Sequence, residues 1–156
     1  MRKVYERLFV GNELDCRNGG DNWAVVHACK SPCHQRAVGY RGNLSSHHPH
    51  YLVLERGNDL FLNMIDPPTP LFMPTLFTEF LKFTKTHWNS GKNVLIHCNH
   101  GESRAPSLAL LFLAKIVGML PNDSYESAWK EYRKLDAGYQ PGLGIQIHLA
   151  TNWDQL

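Results

Sequence analysis

The sequence predicts an α/β fold: a mainly parallel central sheet of about four to five strands, flanked by helices. Three observations lead there. Short apolar runs alternate along the chain with longer segments of three-to-four spacing, the pattern of strands joined by crossover helices. The most strand-like run, Asn93–His97 (NVLIH), is apolar enough to lie buried on both faces, as central parallel strands do. The composition, 43% apolar and only 19% charged over 156 residues, supplies about one domain's core. With no internal repeat, low-complexity tract or long Pro/Gly/Ser linker, residues 1–156 read as a single domain.

The elements follow in order. Arg7–Val10 is a short strand ended by Gly11-Asn12, and Trp23–Ala28 (WAVVHA) is a second. An irregular Pro/Gly/His-rich stretch runs from Lys30 to Pro49. Tyr51–Leu54 and Leu60–Ile65 read as strands around the Gly57-Asn58-Asp59 turn, after which Pro67, Pro68 and Pro70 forbid regular structure. From Met73 to Ser90 the pattern is helical, with Leu76, Phe77, Phe80, Leu81, Thr84 and Trp88 on one face and Gly91 as the stop. After Asn93–His97 comes a polar loop, then an apolar helix, Pro106–Val117, closed by Gly118. Another helix begins at Asp123, with Glu126 as capping-box partner and Ala128, Trp129, Tyr132 and Leu135 inward. A last helix covers Leu143–Trp153. The aromatic stripe and the Trp129/Tyr132 pair read as core.

The charge balance, 16 Lys+Arg against 14 Asp+Glu for a net +2, lacks the basic face of a nucleic-acid binder. The charged N-terminus is no secretory signal, and the longest apolar run, Leu108–Ala114, is too short to span a bilayer. The expectation is a soluble, cytoplasmic protein whose four cysteines (Cys16, Cys29, Cys33, Cys98) remain reduced.

Chemistry concentrates between strand and helix, in His97-Cys98-Asn99-His100-Gly101-Glu102-Ser103-Arg104. Backbone N–H groups at a helix start lack intrahelical partners, and the helix dipole favours an anion there. Gly101 lets the loop close with its amides inward, as an anion nest. Arg104 adds a planar, bidentate donor matched to phosphate oxygens. The same field stabilises a thiolate at Cys98. Such a loop holds a phosphate-like dianion above an ionised nucleophile, with Asn99, His100, Gly101, Glu102, Ser103 and Arg104 as its phosphate-binding residues.

The run HCNHGESRAPSLALL resembles the signature of cysteine-dependent protein tyrosine phosphatases, most closely their small dual-specificity branch. LFVGNELD and WAVVHA resemble that family's first strands, and Leu60–Leu149 follows its order of strand, acid loop, helix, signature loop and helices. The resemblance implies a dual-specificity-phosphatase-like fold and hydrolysis of phosphotyrosine in proteins, in the wider reading also of phosphoserine and phosphothreonine, through a phosphocysteine. Phosphate or a vanadate-like anion would occupy the loop, and no cofactor or metal is required. It also implies a general-acid aspartate about thirty residues upstream. Asp66 stands 32 residues before Cys98 and closes one strand as Cys98 closes another, so that parallel strands put both at the carboxyl edge of the sheet. His97 resembles the histidine thought to orient the loop and tune the thiolate. One departure concerns the second step: the Ser or Thr usual after the arginine is here Ala105, which implies slow hydrolysis of the phosphoenzyme.

Two further groups carry competing readings. His27, Cys29, Cys33 and His34 suggest a zinc site, but neighbouring Cys33 and His34 rarely ligate together, and small buried thiols with surface imidazoles are the favoured reading. Arg36 and Arg41, with His47, His48 and His50, form either a solvated loop or a substrate-contacting rim. The alternatives for function are the same chemistry on a phosphoinositide or an RNA 5′ end, ranked lower because the loop has no lysine, and a weakly catalytic phosphoprotein-binding module, favoured only by Ala105.

Overall fold

A computed structural model describes residues 1–156. Six strands form one sheet: β1 (Arg2–Tyr5), β2 (Leu8–Gly11), β3 (Trp23–His27), β4 (Val53–Arg56), β5 (Asp59–Leu62) and β6 (Asn93–His97), in the spatial order β1-β2-β6-β3-β5-β4. The four central strands β2, β6, β3 and β5 are parallel; β1 and β4 close the edges antiparallel.

The count is therefore six rather than four to five. The strand that sequence periodicity missed is β1, whose RKVY buries only Val4. An edge strand needs one inward residue, too little to register as alternation. The hairpin β4–β5 is also displaced from expectation. Charged Glu55, Arg56 and Asp59 belong to it, because the two-residue Gly57-Asn58 connection pairs Arg56 with Asp59 and fixes the register.

Helices α1 (Gln35–Val38), α2 (Pro74–Asn89), α3 (Arg104–Phe112), α4 (Tyr125–Leu135) and α5 (Leu143–Asn152) complete the chain. In α2, Pro74 sits at the first position, where its missing N–H costs nothing, and Leu76, Phe77, Phe80, Phe83 and Thr84 are buried. Helix α3 starts two residues earlier than its proline suggested, so Pro106 lies in the first turn; every residue of α3 is buried. It widens into a π-type turn at Leu113–Val117 and ends at Gly118, in the left-handed region. Helix α4 begins at Tyr125, and its cap differs from the expected box. Ser124 Oγ accepts from Ser127 N–H, while Glu126 pairs with Lys130 at 3.1 Å.

Strand alternation assigns the two faces of the sheet. Leu8, Val10, Ala24, Val26, Leu60, Leu62, Val94 and Ile96 join the buried cluster of 33 residues that includes α2–α5. Phe77, Phe80 and Tyr132 are fully buried in it, and Trp88 and Trp129 pack against its edge. The intervening residues, among them His27 on β3 and its β6 neighbour His97, belong to the opposite face.

Candidate active site

The parallel strands carry their loops to one edge of the sheet. Cys98 follows β6 directly; it is 2% exposed, and Gly101 N–H donates to its Sγ at 3.3 Å. Gly101 has φ +72°, and a Cβ there would lie 2.8 Å from the carbonyl oxygen of Gly11. Only glycine fits a left-handed turn pressed against a neighbouring strand end.

Arg104 opens α3, with its guanidinium nearly immobilised. Nη1 donates to the carbonyls of Ala28 (3.1 Å) and Met64 (3.0 Å), and Nη2 to Asn99 Oδ1 (2.8 Å). Its Nε is buried without a partner. A buried, unpaired cationic N–H is costly unless an anion takes it, and this one belongs to the loop that folds over Cys98.

Asp66 reaches the same place. One small pocket of about 160 Å³ is walled by Asp66, Cys98, His100, Glu102, Ser103 and Arg104, together with Gln140 and Gly142. Four of the six expected loop residues therefore converge with the expected acid; Gly101 instead donates its N–H to Cys98 Sγ, and Asn99 accepts from Arg104. A Cβ on Gly142 would collide with Asp66 Oδ1 and lie 3.0 Å from its Cγ, so the carboxyl group lies directly against that glycine. Gly142 N–H also donates to Ser103 Oγ at 2.8 Å, and Gln140 N–H to the Glu102 carbonyl at 2.8 Å.

His97 is placed differently from its expected role. Its imidazole is fully buried on the second sheet face, with Nε2 2.8 Å from His27 Nδ1, and burial lowers its pKa to about 4. It stays neutral, and its nearest polar side-chain partner is His27 rather than the Cys98 thiol. Nor do the rim arginines face the pocket. Arg36 lines a separate cavity with Cys16, His27 and Cys33, and Arg41 is exposed outside the pocket walls. The expected "surface imidazoles" are not at the surface either: His27 is 1% and His34 0% exposed. His34 bonds Tyr40 Oη (2.8 Å) and the His50 carbonyl (2.9 Å), which fills its polar atoms.

Periodicity missed Gln140 and Gly142; the only signal was a glycine just before the last apolar helix. It also missed an ionic brace. Arg2 Nε and Nη2 hold Asp136 Oδ1 and Oδ2 at 2.7 and 2.8 Å, while Nη2 also donates to the Gly101 carbonyl at 2.7 Å. The first strand thereby clamps the outer side of the loop.

No protein-family model matches the sequence. Solved structures do match the fold. Human DUSP28 is similar over 98% of this chain and 94% of its own, with a TM-score of 0.67 and 14% identity. The human tyrosine phosphatase-like serine/threonine/tyrosine-interacting protein gives a TM-score of 0.66 at 16% identity over 98% and 94%. The PTP-2 phosphatase of Cydia pomonella gives 0.65 at 19% identity over 96% and 88%. The chain thus has the dual-specificity phosphatase fold.

Proposed function

We propose that this protein is a cysteine-dependent phosphatase that hydrolyses phosphotyrosine, and in the wider reading phosphoserine and phosphothreonine, in proteins. The observation that carries this is the convergence of Cys98, Arg104 and Asp66 on one pocket, with Arg104 Nε buried and unpaired. Cys98 Sγ attacks phosphorus in line; the P–S bond forms as the P–O ester bond breaks. Arg104 and the loop amides stabilise the equatorial oxygens, and Asp66 passes its proton to the leaving oxygen. Asp66 then takes a proton from the water that attacks the phosphocysteine, which releases phosphate and the Cys98 thiolate. The loop's lack of lysine favours a phosphoprotein over a polyanionic inositol phosphate. A reducing, cytoplasmic setting suits a nucleophile that works as a free thiol, and all four cysteines are unpaired.

The test is hydrolysis of an aryl phosphate and a phosphotyrosyl peptide. Wild type turns over both and is inhibited by vanadate, whereas Cys98→Ser is inactive. Wild type that binds the peptide without turnover is instead a recognition module. Turnover that survives Cys98→Ser removes the mechanism.

A further inference from the structure

The second sheet face holds a group of side chains that the phosphatase chemistry does not use. Cys16, from the loop after β2, Cys33, from the turn before α1, and His27 and His97, at the ends of β3 and β6, bring one ligand atom each within 4.8 Å of one another. Sequence spacing did not suggest this set. It joins Cys16 and His97 to His27 and Cys33, and leaves out Cys29 and His34.

We propose that Cys16, His27, Cys33 and His97 form a structural tetrahedral site for a divalent zinc-class cation. Bond lengths of about 2.3 Å to sulfur and about 2.0–2.1 Å to nitrogen require tetrahedron edges of about 3.8 Å (S to S), 3.6 Å (S to N) and 3.4 Å (N to N). Cys16 Sγ lies 3.9 Å from Cys33 Sγ and 3.7 Å from His27 Nδ1, already at those lengths. The imidazole pair, 2.8 Å apart as a hydrogen bond, opens by about half an ångström to admit the ion.

The surroundings match a ligating histidine. His27 presents Nδ1 to the group while its Nε2 faces Asp59 Oδ1 at 2.9 Å, an arrangement that fixes the tautomer and raises ligand basicity. Asp59 Oδ1 is itself held by Gly19 N–H at 2.8 Å, and Phe61 stacks on the His27 ring at 4.3 Å. Two thiolates neutralise a divalent ion, and a set of two sulfurs and two nitrogens selects zinc over the hard cations. His27, Cys33 and His97 are buried, whereas Cys16 is exposed and borders, with His27 and Cys33, a cavity of about 350 Å³ that provides an entry path. With four protein ligands, the ion has no open position and does no chemistry. It ties four distant segments together next to the catalytic loop, since His97 precedes Cys98 and the Ala28 carbonyl beside His27 accepts from Arg104.

The experiment measures metal in the full chain purified without chelator, with a cobalt-substitution spectrum. One zinc per chain is expected in wild type and in Cys98→Ser. Cobalt should give the intense visible bands of a tetrahedral thiolate site. Asp59→Asn should weaken zinc binding about 10–100-fold against a competing chelator, and the Cys16→Ser/Cys33→Ser pair should abolish it. Should that pair fail to fold, the wild-type cobalt spectrum still decides. Wild-type chain that neither carries nor takes up zinc overturns the proposal. So does an octahedral cobalt spectrum, zinc that survives loss of both cysteines, or zinc lost in Cys98→Ser, which would locate the ion on the catalytic thiol.

Discussion

Ala105 is completely buried as the second residue of α3, and it leaves the catalytic loop with one hydroxyl, that of Ser103. That oxygen already accepts the Gly142 N–H. If chemistry runs through a phosphocysteine, position 105 offers no hydroxyl to assist departure of the thiolate, and the second step is slow. Rapid mixing with an aryl phosphate should show a burst of the released alcohol close to the enzyme concentration, followed by slower turnover. Ala105→Ser should raise the steady rate and shrink the burst. The added oxygen enters a filled interior, so a modest loss of stability, on the order of 1 kcal/mol, should accompany it. Unchanged turnover with no burst in wild type would refute this account. Cys98, Arg104 and the glycine between them were legible at this scale because seven contiguous residues encode the loop's turn, charge and nucleophile together.

At the scale of elements, the start of α5 is what places Asp66, the proposed acid. Gly142 leaves no room for a Cβ beside Asp66 and donates its N–H to Ser103, so it spaces the Asp66 loop from the Cys98 loop. Gly142→Ala should push the Asp66 carboxyl group aside while leaving Cys98 and Arg104 in place. The expected signature depends on the leaving group and is read in kcat/KM, which reports the first step: it falls about 10²-fold or more for a phosphotyrosyl peptide, whose departing oxygen needs a proton. It should fall much less for an aryl phosphate with an acidic phenol. Equal losses on both substrates would instead mean that the whole loop had shifted. Asp66 could be expected from its separation from Cys98, although β5 ends at Leu62 and Asp66 follows four residues later in a loop rather than closing the strand. Gln140 and Gly142 could not, because their role comes from the packing of α5 across the pocket mouth.

For the molecule as a whole, buried polar groups connect the layers. Ser107 Oγ, Tyr139 Oη and Tyr125 Oη form a chain at 2.9 and 3.1 Å, and Asp136 accepts from Arg2, Gly138 N–H and Tyr132 Oη. His148 on α5 is one of five exceptions, with a buried Nε2 that has no partner. It stacks on Phe77 at 4.7 Å and meets Phe72 edge-on at 5.6 Å, and burial lowers its pKa from 6.5. The folded state therefore resists protonation of this ring more than the unfolded chain does. Its contribution to stability is complete above about pH 6.5 and is lost as pH falls from there toward the lowered folded value. Denaturant midpoints measured from neutral to mildly acidic pH should fall more steeply for wild type than for His148→Phe. Parallel curves would show that the ring carries no such penalty.

The sequence by itself determined the α/β class, the four central strands, most of the inward faces of the helices and the strand-to-helix loop proposed for catalysis. Each of those depends on neighbours within a turn, a strand or a short loop, where periodicity, glycine and helix-start chemistry act locally. Only the tertiary structure decided what the ends of the parallel strands share. Register pairs His27 with His97, seventy residues apart, and so draws Cys16 and Cys33 into one group. The antiparallel edge brings Arg2 to Asp136 and Gly101, and α5 brings Gly142 to Asp66. Such contacts arise when crossover helices return strands side by side, and no local pattern records which ends will then meet.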